Sequence, residues 1–374
     1  MATTQGRAPR RRTTTNCSCP CRGAGNLDEC LLGVFFLSRF DASTHGLADL
    51  WRKLRASPVH HYHGAMALLQ YWQEHLRDER DGAAGGPGPS PVIKESRRGL
   101  LRYLLMHGLD VPGWMKDGEI FDEAGFELVH DRVTVRTADL RHRVLRLLQP
   151  TEIPSEPGIP MAEVLSDLNS EAQDLDRMLR DWVRQFQRSW LYEQHTLPPS
   201  DDPKQAQRVP SPSKVYTYSK LSYALLWSKY AALRLLVNDT HLKIVSLCSE
   251  ALVATDPSIE RQCQLVAEQM ADIVVSSNAF IMGDLHVAST PLGGTTVVLN
   301  EGSGACQRGY RFVTWPLSVA CSLESVDTSQ RLWCKWQLRR VGRQVGIKLF
   351  EEYQPNRSFR LDENRMSPGD YLRQ

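Results

Sequence analysis

The chain has 374 residues, 41% of them hydrophobic and 24% charged, with 9 tryptophans to anchor cores, which is the composition of one large or two ordinary globular domains. Its 45 Lys and Arg nearly balance 43 Asp and Glu, so a net charge of +2 excludes a whole-chain field that would draw it to nucleic acid or an anionic membrane. No apolar leader opens the sequence and the 9 cysteines are mostly scattered, so an intracellular protein with reduced thiols is expected.

The first segment is basic, with Arg7, Arg10, Arg11 and Arg12, and is expected to be a disordered tail over residues 1–27 that suits a nuclear-localisation signal. Cys17, Cys19, Cys21 and Cys30 follow it. Zinc ligands usually come in pairs separated by two to four residues, and a C-x-C-x-C run with Pro20 inside it is too tight for that turn. These cysteines are therefore not expected to hold a metal.

Short helices are predicted over 28–40, 46–54, 58–78, 94–107 and 131–148. Residues 161–189 then place Leu165, Leu168, Ala172, Leu175, Leu179, Trp182 and Phe186 at alternating steps of three and four, which is one continuous apolar stripe. A helix over 219–254, opened by Ser219, is apolar almost all round. Its core "LSYALLWSKYAALRLLV" contains Lys229 and Arg234, so it reads as a buried helix and not a membrane span. Asp256 and Pro257 predict the start of a helix running to 282. "TTVVLN" at 295–300 is the best strand signal, at most a local hairpin. The last predicted helix, 328–353, is capped by Asp327 or Thr328. It turns Cys334, Leu338, Val341, Val345 and Leu349 inward, with Arg339, Arg340, Arg343 and Lys348 on its other side. Polar Pro/Gly-rich breaks at 81–91, 150–160 and 197–213 separate these segments. The expectation is an all-α protein with a helical domain over 28–353 and a C-terminal tail over 354–374.

Chemistry is hard to find in it. His60, His61 and His63 lack a further ligand at matched spacing, and no nucleophile-elbow, zinc-protease or phosphate-loop motif occurs. "NEGSGACQRG" at 300–309 has glycines but no following Lys. Gly342 and Gly346 form G-x-x-x-G, which predicts close packing by a neighbouring helix. Glu351 and Glu352 read as a solvated pair. No catalytic, cofactor-binding or metal-binding residue is assigned, no cofactor is expected, and the chain is not expected to be an enzyme. The alternative is an α-helical ligand-binding protein or enzyme built on the aromatic centre around Trp182, Trp190, Trp227 and Tyr230.

Five stretches taken in order carry a family resemblance. They are "HYHGAMALLQ", "SRRGLLRYLLMHGLDVPGWMKDGEIFDEAGFELVHDRVTVRTADLRH", "LNSEAQDLDRMLRDWV", "VYTYSKLSYALLWSKYAALRLLVNDTHLKI" and "FVTWPLSVACSLESVDTSQRLWCKWQLRRVGRQVGIKLFE". Together they resemble the regulatory region of fungal zinc-cluster transcription factors, the last stretch matching its closing helix pair. In that family a C-x₂-C-x₆-C cluster, repeated after a linker, reads DNA; Cys17, Cys19, Cys21 and Cys30 do not fit it. The resemblance implies a fungal-specific transcription-factor domain in the nucleus without its zinc cluster, controlling RNA polymerase II genes such as a metabolic gene cluster. It would act through other proteins, namely the transcription machinery or a DNA-binding partner, or as part of a longer factor. Neither sequence-specific DNA binding by this chain alone nor a membrane partner is expected, and a homodimer is left open.

Overall fold

The computed structural model describes residues 24–44, 57–76, 89–148, 160–197, 212–289, 295–299, 309–347 and 350. Among them the protein is all-α, with nine helices: α1 Ala24–Thr44, α2 Ser57–Tyr71, α3 Pro91–His107, α4 Gly125–Leu147, α5 Met161–Arg184, α6 Leu221–Glu250, α7 Ser258–Met282, α8 Tyr310–Ser322 and α9 Thr328–Val345. Two small antiparallel hairpins join them, β1 Glu193–Thr196 with β2 Lys214–Thr217, and β3 Leu285–Ser289 with β4 Thr295–Leu299. The second hairpin is the one that "TTVVLN" predicts; the first carries no comparable signal. The predicted helix over 46–54, the basic run Arg7–Arg12, Cys17, Cys19 and Cys21, most of the three loops, Lys348, Leu349, Glu351 and Glu352 lie outside the described residues.

Local chemistry sets the helix ends. Ser90 caps α3 by accepting the Ile93 N–H at 3.2 Å, Pro91 opens it, and Gly108 at φ 60° closes it in the left-handed region. Asp327 caps α9 through the Ser329 and Gln330 N–H groups, as its position predicts. Asp256 accepts from the Ser258 N–H at 2.8 Å, but Pro257, expected as the first helical residue, occupies the cap position of α7, which begins at Ser258. Ser219 does not cap α6; its hydroxyl donates to the Ser189 carbonyl, and Lys220 occupies the cap position without a side-chain bond. α1 starts at Ala24, ahead of the predicted boundary at residue 28.

Every stripe residue of α5, from Leu165 to Trp182, and Phe186 beyond it, is buried. α6 runs through the centre of the bundle, packed by α4, α5, α7 and α8. α7 is long and apolar enough to cross a membrane, but 72% of its apolar window is buried inside the protein, as a core helix requires.

Charge is buried in matched pairs. Arg234 holds Asp176 through two bonds of 2.7 and 3.1 Å, Arg141 meets Asp239 at 3.1 Å, and Arg97 grips Asp131 at 2.7 and 2.9 Å. Arg340 holds Asp284 at 2.5 and 2.6 Å. The last pair corrects the expected basic face of α9: Arg340 turns inward, because Asp284 after α7 would otherwise be a buried charge alone. Gly346 also departs from expectation. It closes α9 at φ 70°, its N–H bonded to Gly342, and a Cβ added there would meet nothing within 4 Å. It ends the helix and seats no neighbour.

Candidate functional site

Helical spacing builds the site. On α3, Arg98 and Arg102 stand one turn apart with Leu101 beside them. On α4, Glu127, His130, Asp131 and Thr134 recur at steps of three and four, so both sets face one space. α5 adds Trp182, α6 adds Leu226 and Lys229, α8 adds Trp315, and Phe126 closes the wall. The cavity, half open to solvent, measures about 90 Å³.

Most of the charge around it is already matched. Arg98 clasps Glu123 at 2.7 and 2.6 Å and reaches Glu127 and Glu95 at 2.8 Å. Burial opposes the Arg98 charge, but Glu123 and Glu127 more than reverse it, and its pKa is raised. Arg97, fully buried behind this layer, is fixed by Asp131, by the Met115 carbonyl at 3.0 Å and by the Phe121 ring 4.8 Å below its guanidinium.

Two cations are left over. Neither the Arg102 guanidinium nor the Lys229 ammonium has a hydrogen bond or ion pair among the described residues. Burial lowers the pKa of both; Arg98 lowers both further, Arg102 adds to the effect on Lys229, and Glu95 opposes it at longer range. His130 lines the same cavity, its ring 4.9 Å from Trp182. Burial, reinforced by Lys229, Arg98 and Arg102, lowers its pKa to about 3, so the ring is neutral at ordinary pH. Its Nε2 is buried with no hydrogen-bond partner among the described residues, and so is the Trp315 indole Nε1. By contrast Trp182 Nε1 donates to Phe126 O at 3.0 Å and Trp227 Nε1 to Trp190 O at 2.9 Å.

The arrangement can bind an anion. It does not assemble a nucleophile with a base, since the Thr134 hydroxyl donates back to the His130 carbonyl and His130 Nε2 meets no hydroxyl or thiol among the described residues.

Of the aromatic centre singled out in the sequence, Trp182 lines the cavity, where Phe126 stacks on it at 4.4 Å. Trp190, Trp227 and Tyr230 belong to the packed cluster behind it, joined through Phe186 and Trp227. His61 is half-buried and His63 exposed on α2, while the side chain of His60 lies outside the described residues. Among the described residues no group of three or more His, Cys, Asp or Glu converges on a metal position. Arg98, Arg102, His130 and Trp315 were not legible as a site. Lys229 stands out in the sequence only as a charge inside an apolar helix, and that is the one available signal.

Buried neutral histidines make stability depend on pH. Burial lowers the pKa of His130 to about 3 and also lowers that of His241. An unfolded chain takes up protons near pH 6.5 that these folded rings refuse, so the stabilisation is complete above that pH and is lost as pH falls towards 4. A ring that stays neutral throughout that window, as His130 does, contributes about 1.4 kcal/mol per pH unit. Melting temperatures recorded from pH 7.5 to 4.5 should therefore fall steadily, and His130→Phe should flatten the slope. A level profile would show the rings to be solvated in the native state.

Comparison of the chain with protein-family models, with curated proteins and with solved structures gives no match to any of them.

Proposed function

We propose that the chain is a transcription-regulatory helical domain of the fungal zinc-cluster factor type, working in the nucleus on RNA polymerase II genes through partner proteins or as part of a longer factor. One observation supports this reading. The five resembling stretches fall in order on α2, on α3 to α4, on α5, on β2 with α6, and on α8 with α9, and these helices all contribute to a single core. The direct test is to fuse the chain to a heterologous DNA-binding domain and measure a nuclear reporter. A change in transcription dependent on the fused chain is expected; an unaltered reporter with well-expressed fusion protein sinks the proposal.

By itself the chain should select no DNA sequence. Specific readout needs side chains aimed into a groove, each good bidentate contact discriminating by about 1–3 kcal/mol. Asp284 already holds Arg340, which thins the basic face of α9. Binding should be weak and steeply salt-dependent, with Kd of roughly 10⁻⁴ to 10⁻⁶ M. Selection from random oligonucleotides at physiological salt measures this, and recovery of a defined motif would reveal a reading surface.

The cavity, with Arg102 and Lys229 unmatched in its wall, favours a second reading as a ligand-binding protein with no role in transcription. A silent reporter alongside saturable ligand binding distinguishes that reading from the first.

A further inference from the structure

We propose that the cavity between α3, α4, α5, α6 and α8 is the binding site of a small organic carboxylate with a single flat, apolar body, its carboxylate lodged between Arg102 and Lys229. The inference rests on the cavity alone and holds under either functional reading, so the reporter and the binding measurements fail separately.

A charge withdrawn from water is stabilised by a partner, and among the described residues the buried arginines, Arg97, Arg141, Arg234 and Arg340, all have a carboxylate. Arg102 and Lys229 are half-buried at one cavity, neither has a carboxylate among the described residues, and each like charge makes the other less favourable. One anion between them would relieve both. Two further groups point to a ligand in the same place, because His130 Nε2 and Trp315 Nε1 are buried without partners among the described residues. In the tautomer with Nε2 protonated, both donate hydrogen bonds, matching the remaining lone pairs of a carboxylate.

The rest of the wall sets the ligand's body. Phe126 stacked on Trp182 offers a flat aromatic surface, and Leu101 and Leu226 add aliphatic contact. A space of about 90 Å³ holds roughly six to nine water-sized groups, which matches one ring plus a carboxylate. Glu123 and Glu127 also face the cavity and would repel a doubly charged phosphate more than a singly charged carboxylate.

Calorimetric titration of the full chain with benzoate, benzamide and inorganic phosphate tests this. Benzoate should bind with one site per chain, and benzamide, the same shape without the charge, at least tenfold more weakly. Phosphate should also be at least tenfold weaker. Arg102→Gln and Lys229→Gln should each reduce benzoate affinity at least tenfold, while the melting temperature of the ligand-free variants holds or rises because an uncompensated charge is gone. Equal binding of benzoate and benzamide would overturn the role of the cations, and phosphate binding as well as benzoate would overturn that of the apolar wall. No benzoate binding at millimolar concentration, or a variant of native circular dichroism that keeps its affinity, would overturn the site. A variant that fails to fold would count against it as well, by showing that cation to be structural. The benzoate–benzamide comparison on the unaltered chain remains decisive without any variant.

Discussion

Leu179→Asp is expected to abolish cooperative folding. Leu179 is fully buried midway along the α5 stripe, with Leu175 and Trp182 one turn away on either side. Replacement by aspartate removes aliphatic contacts, which alone is worth about 2–5 kcal/mol for large-to-small changes in a core. It also strands a carboxyl group with no donor in reach, so the loss should be at least about 3 kcal/mol. Against a typical net stability of about 5–15 kcal/mol, that is a large fraction. Thermal melting by circular dichroism measures the effect. Leu179→Met, which nearly conserves volume, should stay within about 1.5 kcal/mol of the parent. If the aspartate variant melted like the parent, the stripe would face solvent and the helical core described above would be wrong.

Removing one partner of the Asp176–Arg234 pair should be nearly as damaging. Asp176 accepts two bonds from Arg234 and one from Asn238 at 3.0 Å, and pairs with Arg180 at 3.1 Å. Arg234 in turn donates to the Tyr230 hydroxyl at 3.0 Å. Burial works against the Asp176 charge, yet Arg234 and Asn238 hold its pKa below the usual carboxylate value, so the ionised form is the one built into the fold. Asp176→Ala leaves the Arg234 guanidinium buried and unmatched, which typically costs about 3–5 kcal/mol. The double change Asp176→Leu with Arg234→Met should recover most of that loss, because an apolar pair of similar bulk needs no counter-charge. Urea denaturation of the three proteins is the measurement. A single variant within about 1 kcal/mol of the parent would place the pair among screened surface bridges.

Both substitutions show which features could be read from the chain and which could not. The α5 stripe was legible because helical periodicity is a local property: once residues 161–184 are helical, Leu165 through Trp182 share one face whatever packs against it. The cap at Asp327 was legible for the same reason, a side chain acting on backbone two or three residues away. The all-round apolar character of α6 declared its burial without naming its neighbours.

The fate of the charges was not legible. Arg339, Arg340 and Arg343 look alike in sequence, yet only a carboxylate 56 positions earlier turns Arg340 inward. Ser219 looks like a helix cap, but the Ser189 carbonyl lies nearer to its hydroxyl's purpose once the chain has folded. The cavity is the strongest case. Arg102 and Lys229 come from α3 and α6, more than a hundred residues apart, and His130, Trp182 and Trp315 come from three other helices. Periodicity determines which face of each helix is apolar; it carries no information about which two faces meet. A cation on an apolar helix can be matched by any carboxylate the fold delivers, or by none, and that pairing is decided only when the helices pack.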